Sequence, residues 1–243
     1  MSQTPTLIDT PFTFCPGCSH GTAHRLVGSA LDQKGWREQT IAVAGAGCSN
    51  RLDAYFDLDV VEAPYGLAMA VATGLKRVHP DRLILAYVGE GDAAGSGLAE
   101  LMQAAVRGEK ITAVVMNNAA LGLSGGHLSP TTLVGQTSLS SPFGRSSEFA
   151  GSPLRIAEMV GRMPGTAYVT RVAVDTPEHV EEALEALQEA LQYQMIGKGF
   201  SLVEIVGICP PGWKMTPLEA TQYLHDKVLA EHPLGLRKRS TTR

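Results

Sequence analysis

The chain of 243 residues is short of cysteine, with only four, and of aromatic side chains, which make up 6% of it. So few thiols in so long a chain exclude a disulfide-stapled miniature, the usual device of small secreted domains that cannot build a core. Long apolar runs are missing too. "LILAYV" is typical of the longest stretches, far below the roughly 20 residues that cross a bilayer. The opening "MSQTPTLIDT" has no basic start followed by an apolar run, so it does not read as a secretory signal. Neither sign of charge dominates: 20 Lys and Arg face 24 Asp and Glu, for a net charge of -4. That balance gives no nucleic-acid footprint, and the basic end "RKRSTTR" reads as a solvated tail. The expectation is a soluble, cytoplasmic protein with no membrane or nucleic-acid partner.

What is present is ample apolar material, 44% of the chain, and 26 glycines. Length and composition fit one domain over 1–243, with 1–14 and 236–243 as tails. Short apolar runs at 40–47, 82–88, 111–117, 167–174 and 200–206 suit strands buried on both faces. Between them lie helical patterns: "YGLAMAVATGLKRV" after Pro64, the segment from about Gly97 to Arg107, and 177–193, which opens on Pro177 and aligns Val180, Ala183, Leu184, Leu187 and Leu191. This alternation predicts an α/β fold, a doubly wound and mostly parallel sheet with helices on both faces. The acidic pair Glu181-Glu182 reads as the solvated side of the last helix. From Leu121 to Pro153 the chain is polar, glycine-rich and long for a loop, as binding surfaces and lids are.

At the end of the strand 82–88 stands "GEGDAAGSG", just ahead of a helix. Glycines there let the backbone approach a ligand, and the helix start offers free N–H groups to a phosphate. A plain strand-to-helix turn explains the glycines equally well. Asn117-Asn118 ends the next strand, and in a parallel sheet both ends meet at the carboxyl edge, where ligands of this architecture bind. A carboxylate, an amide oxygen and a backbone carbonyl from that turn suit a Mg²⁺ that also holds a diphosphate; the bland alternative is turn chemistry alone.

Cys15 and Cys18 form a Cys-x-x-Cys, while Cys48 and Cys209 stand alone. In a reducing compartment such thiols are free, catalytic or bound to a soft metal. Zinc is one candidate, although structural zinc sites usually draw on short-range pairs. Buried inert thiols are another reading.

Gly89-Glu90-Gly91, then 25 residues, then Asn117-Asn118 resembles the thiamine diphosphate fingerprint. The wider text, "FCPGCSHG", "GAGCSNR", "VATGLK", "VGEGDA", "VMNNAALGLSGGHLSPTT" and "GKGFSLVEIVGICPPGW", is similar to the β subunits of 2-oxoacid:ferredoxin oxidoreductases, from residue 12 to about 213. The segments "SGGHLSPTT", "SPFGRS" and "MTPLEA" are closest to the branch acting on bulky 2-oxo acids, branched-chain or aromatic. The resemblance implies oxidative decarboxylation of a 2-oxo acid to an acyl-CoA and carbon dioxide, with coenzyme A as co-substrate. Electrons would pass through one 4Fe-4S cluster to ferredoxin or another external acceptor. It implies Cys15, Cys18, Cys48 and Cys209 as cluster ligands, and Glu90, Asn118 and the Ala120 carbonyl as Mg²⁺ ligands. Cys48, Ser49, Tyr65, Gly89, Gly91, Asp92, Gly122 and Leu123 would join those three around thiamine diphosphate. No catalytic residue is implied in this chain: the glutamate that helps form the ylid is expected on a larger α subunit bearing the pyrimidine-binding half and the 2-oxo acid site. Further subunits, including a ferredoxin-like one, are expected.

Two positions depart from the family pattern. Glu90 replaces the usual aspartate, and Tyr65-Gly66-Leu67 stands where His-Gly-Arg is common. His127 is a candidate contact to diphosphate or substrate, against the reading of a loop histidine that is merely hydrogen-bonded; His20 and His24 read as structural. The rival to the whole picture is a zinc-stabilised structural subunit whose altered Glu90 and Tyr65 mark a lost thiamine site.

Overall fold

The structure, a computed structural model, describes residues 5–240. One sheet holds seven strands: β1 Thr40–Ala44, β2 Asp59–Glu62, β3 Leu83–Gly89, β4 Thr112–Asn117, β5 Thr166–Ala173, β6 Phe200–Val206 and β7 Gly235–Arg239. Their spatial order is β2-β1-β3-β4-β6-β5-β7. Every neighbouring pair is parallel except β5 and β7. The helices that matter below are α1 His20–Lys34, α2 Ala68–Val78, α3 Leu98–Arg107, α4 Ser147–Ala150, α5 Ile156–Gly161, α6 Pro177–Met195, α7 Pro210–Trp213 and α8 Pro217–Tyr223.

Successive residues of a strand point to opposite faces, and here both faces are roofed. Leu83, Leu85 and Tyr87 of β3 pack under α1 and α6 with Val114 and Met116 of β4. Ile84, Ala86 and Val88 pack under α2, α3 and α5 with Ala113 and Val115. This is the doubly wound sheet the sequence predicts, and it explains why the central strands read as unbroken apolar runs. A third, smaller cluster with Ile208, Trp213, Ala220 and Leu224 caps the carboxyl edge beyond β6.

The segments expected as tails are partly built into the fold. Leu236–Arg239 belong to β7, which pairs antiparallel with β5. The charges that read as a tail, Arg237 to Arg239, are those of an exposed edge strand, where charge deters further pairing. At the other end the Thr6 hydroxyl and N–H both donate to Asp32, and Phe12 and Phe14 pack against Tyr55 and His24. Residues 1–4 and 241–243 lie outside the described part. No described helix is long and apolar enough to cross a membrane.

Candidate functional site

Because β1, β3, β4 and β6 lie side by side and run the same way, their carboxyl ends deliver distant sequence segments to one place. β1 leads to Cys48, β3 to Glu90, β4 to Asn118 and β6 to Cys209. Between these ends opens a cavity of about 540 Å³. Ten of the residues expected around the cofactor line it: Cys48, Tyr65, Gly89, Glu90, Gly91, Asp92, Asn118, Ala120, Gly122 and Leu123. Ser49 does not; it is fully buried, and its hydroxyl has no partner among the described residues. His127 is also absent from the wall, its backbone pairing with Leu121. Ala46, Gly47, His20, Leu121 and Ser124 complete the lining.

The lining is mostly apolar, and its few polar groups cluster around Glu90, Asp92 and Asn118. The Asn118 amide lies 2.8 Å from the Ala120 carbonyl and 3.3 Å from Glu90 Oε1; with its oxygen turned that way, as a bound cation would require, three acceptors converge. Adjacent ligands of an octahedral Mg²⁺, at bonds of about 2.1 Å, lie about 3.0 Å apart, close to both of these separations. The metal-free alternative is a rotated amide whose NH₂ donates to both neighbours. Glu90 is buried and accepts from the Ala120 N–H at 2.9 Å; burial, only partly offset by such hydrogen bonds, pushes its carboxyl up to about 7. Beside it Asp92 accepts from the Gly66 N–H through one oxygen, while its other oxygen is buried without a partner among the described residues. Burial raises the Asp92 carboxyl as well. A donor or cation is what such a pair of carboxylates lacks. Gly91 leaves room at this wall: a Cβ there would push aside the ends of the Leu121 and Tyr65 side chains.

The turn that presents Asn118 and Ala120 is strained and heavily braced. Ala119 is left-handed at φ 51, a conformation that costs an L-residue roughly 1–2 kcal/mol. Asn117 Oδ1 accepts from the Ala119 N–H at 3.1 Å and the Thr131 hydroxyl at 2.8 Å. The Ala119 carbonyl accepts from Thr132 at 2.9 Å and Gln136 at 3.1 Å. On the sheet side, Asn117 Nδ2 donates to Glu204 at 2.6 Å, Arg171 donates to Glu204 at 3.0 Å and grips Glu158 with its two terminal nitrogens at 2.8 and 2.6 Å. Asn117, Arg171 and Glu204 are fully buried. The pairs Arg171–Glu204 and Asn117–Glu204 escape sequence reasoning focused on motifs, yet a signal exists: each charge interrupts an otherwise apolar strand.

The thiols gather behind the glycine wall. A Cβ on Gly122 would lie 3.1 Å from Cys209 Sγ and 3.5 Å from Cys48 Sγ, so both sulfurs flank the same point. Cys15 and Cys18 close a turn, Cys18 N–H to Cys15 carbonyl at 3.0 Å, and the next residue, Ser19, accepts from the Ile208 N–H at 2.9 Å, which ties that turn to the Cys209 segment. All four are free thiols. Burial pushes Cys48 up to about 11, helped by repulsion from Cys18, Cys15 and Glu90. Burial takes Cys209 to about 12, with Cys18 and Cys48 adding to it. Thiols so placed ionise only against strong positive charge, which is what a thiolate-bound metal centre supplies. Among the described residues no three His, Cys, Asp or Glu side chains close on a single metal ion. His20 Nδ1 lies 3.4 Å from Cys18 Sγ; burial lowers His20 to about 4 and His24 to about 3, so both are neutral.

The loop from Leu121 to Pro153 is pinned down by one side chain. Buried Arg145 donates to six carbonyls: Ser129, Pro130 and Thr132 on one flank and Ala150, Gly151 and Ser152 on the other, all at 2.8 to 3.1 Å. The resulting platform holds Leu123, Phe143 and Phe149 out in solvent, 69%, 100% and 87% exposed.

An open, mostly parallel sheet with a cavity at its carboxyl edge, into which Glu90, Asp92 and Asn118 reach, defines an α/β cofactor-binding domain, and residues 36–205 match the thiamine pyrophosphate enzyme family, C-terminal TPP binding domain. The chain is 36% identical over 221 residues to ketoisovalerate oxidoreductase subunit VorA of Methanothermobacter thermautotrophicus, covering 91% of this chain and 46% of that one. It is 33% identical over 216 residues to 2-oxoglutarate synthase subunit KorB of Archaeoglobus fulgidus, covering 89% and 76%. The chain belongs to the thiamine pyrophosphate-binding subunits of the 2-oxoacid:ferredoxin oxidoreductase family. It spans about half the length of the VorA relatives it matches, 46% and 48%. In fold it superposes on a 2-oxoglutarate:ferredoxin oxidoreductase from Magnetococcus marinus, solved with 2-oxoglutarate, coenzyme A and succinyl-CoA bound, with a TM-score of 0.81, 23% identity and coverage of 100% and 87%.

Proposed function

We propose that this chain is the thiamine diphosphate- and cluster-carrying subunit of a 2-oxoacid:acceptor oxidoreductase that converts a 2-oxo acid to an acyl-CoA and carbon dioxide. The carrying observation is the meeting of Glu90, Asn118 and the Ala120 carbonyl at one wall of a cavity that Cys48 also lines, with the Cys209 sulfur close behind Gly122. Glu90 Oε1, Asn118 Oδ1 and the Ala120 carbonyl would hold Mg²⁺, and with it the diphosphate. Gly89, Gly91 and Gly122 keep the wall low enough for a ligand to lie against the backbone. Asp92, Tyr65, Cys48 and Leu123 line the same cavity. When bound, thiamine diphosphate supplies a carbon nucleophile and an electron sink for decarboxylation. This chain's part is to orient the cofactor, exclude water and place Cys15, Cys18, Cys48 and Cys209 as ligands of one 4Fe-4S cluster next to it.

An α subunit is inferred to complete the site, bringing the acid for the aminopyrimidine ring that the resemblance expects outside this single domain. Leu123, Phe143 and Phe149, exposed on a braced loop beside the cavity, offer the apolar contact such a partner needs. Coenzyme A and an external electron acceptor would act with that larger assembly. The names of the relatives, ketoisovalerate and 2-oxoglutarate enzymes, favour a branched-chain or other bulky 2-oxo acid as first choice.

The test is anaerobic purification of the native protein with its copurifying subunits, followed by iron, acid-labile sulfide, zinc and thiamine analysis and viologen-coupled oxidation of 2-oxoisovalerate, phenylglyoxylate and 2-oxoglutarate. Iron and sulfide near four each per chain, bound thiamine and turnover of a 2-oxo acid are expected. Stoichiometric zinc without thiamine would instead establish the structural-subunit reading. Full turnover by this chain alone would remove the inferred partner from the catalytic site.

A further inference from the structure

Trp213 stands outside the cavity wall, yet it touches the turn that makes the oxygen face. It ends α7, the short helix that begins directly after Cys209, and its own N–H donates to the Cys209 carbonyl at 2.9 Å. The indole N–H reaches back across the carboxyl edge and donates to the main-chain carbonyl of Asn118 at 2.8 Å, with both residues buried. The peptide between Asn118 and Ala119 is the one that enters the left-handed residue, so the direction of its carbonyl decides where the Asn118 amide and the Ala120 carbonyl point. The other braces on this turn act on Asn117 and Ala119, and on the Ala120 N–H, which donates to Glu90; Trp213 is the one that holds the Asn118 carbonyl. Trp213 is itself fixed by an edge-on contact with Tyr223 of α8, ring centroids 5.3 Å apart.

We propose that Trp213 is a positioning residue for the Mg²⁺–diphosphate site: its indole N–H holds the Asn118 peptide and so ties the oxygen face to the segment that carries Cys209. The inference rests on reading Glu90, Asn118 and Ala120 as that site. Removing the N–H leaves a buried carbonyl without a partner, the costly way to break a hydrogen bond, and the strained turn is the part free to relax.

The experiment measures the affinity of the protein as isolated, stripped of cofactor, for thiamine diphosphate at fixed Mg²⁺ by titration calorimetry, with thermal midpoints recorded in parallel. Trp213→Phe keeps the packing and loses the donor, and should weaken binding about tenfold. Tyr223→Leu disturbs the same small core without touching the indole N–H; it should lower the midpoint while leaving affinity within about twofold. Equal affinity of Trp213→Phe and wild type would overturn the proposal, as would equal weakening by both variants. Should Trp213→Phe fail to fold, Trp36→Phe leaves Trp213 as the only indole. Its emission should then shift with the same midpoint as the calorimetric titration, and an unchanged emission overturns the proposal. A wild-type protein that binds no thiamine diphosphate would overturn the reading of the site itself, a result distinct from the failure of either variant.

Discussion

The two donor sets of the site are built on opposite plans. The oxygen face is organised before any ligand arrives: Asn117, Thr131, Thr132 and Gln136 fix one strained turn, and a buried Arg171–Glu204 pair anchors it to the sheet. The thiols have no comparable scaffold. They come from three separate segments, range from the exposed Cys15 to the buried Cys209, and repel one another as they ionise. One set is shaped by the protein, and the other waits to be closed by what it binds. Preorganised ligands cost little to occupy, whereas a site assembled by its metal shares the free energy of binding with that of ordering the chain.

The largest effect should come from the unscaffolded side. Cys209→Ser removes one of four thiols and is expected to abolish nearly all bound iron and labile sulfide, read by metal analysis and by the broad visible absorption of the anaerobic protein. Unchanged cluster content would take Cys209 out of the donor set.

On the braced side a single change should cost stability first and affinity second. Glu204→Gln leaves Arg171 with Glu158 but removes the charge on which Asn117 and Arg171 both rely. A loss of about 2–3 kcal/mol is expected in urea unfolding, with thiamine diphosphate binding weakened severalfold in the still folded protein. A neutral result would mean that the oxygen face holds its shape without the buried pair.

A gentler probe is pH. With Glu90 titrating at about 7 in the metal-free fold, Mg²⁺ must displace a proton below that value. Affinity should therefore climb with pH, approaching tenfold per unit well below the transition, and level off above it. The metal-free fold keeps a proton that the unfolded chain has already released, so its stability should fall as pH rises from the ordinary carboxylate range through about 7. Saturating Mg²⁺ should flatten that decline. Proton release measured calorimetrically in two buffers of different ionisation enthalpy checks the same sign. Binding independent of pH across this window would show that Glu90 is not a ligand.

Smallest of all should be Glu90→Asp, which restores the residue the family usually carries. Shortening the side chain by one methylene shifts one corner of a preset face, and a change of only a few fold in Mg²⁺ affinity is expected. A collapse of binding would show that the rest of the turn is built around the longer carboxylate.

Much of this architecture was legible because it is repeated locally. Apolar runs ending in glycine or asparagine mark β3 and β4, and a parallel sheet leaves no choice about where their ends meet. The proline start of α6 sits where the sequence places it. What stayed hidden depends on contacts between remote segments. The antiparallel pairing of β7 cannot be read from "GLRKR", whose charges disguise a strand. The burial of Arg145 and its six carbonyl partners is invisible in "SPFGRSSEF", where an arginine reads as solvent-facing. Glu204 and Arg171 were visible as interruptions of apolar strands, but their partnership needed the strand order β6-β5. The resemblance pointed to which thiols belong together; in the fold the segments of Cys48 and Cys209 both leave the carboxyl edge of the sheet, from β1 and β6 on either side of the two central strands.

Arg145 has a consequence for how such a subunit changes partners over evolutionary time. All six of its acceptors are main-chain carbonyls, and the other side chains that hold the loop are the polar Thr131, Thr132 and Gln136, so its course does not depend on the apolar residues it displays. Phe143 and Phe149, 100% and 87% exposed, can therefore be exchanged for other residues without moving the loop that displays them. Substitution there alters what the surface recognises and leaves the cavity wall beside it undisturbed, so that new assemblies can be tried while the cofactor site is kept.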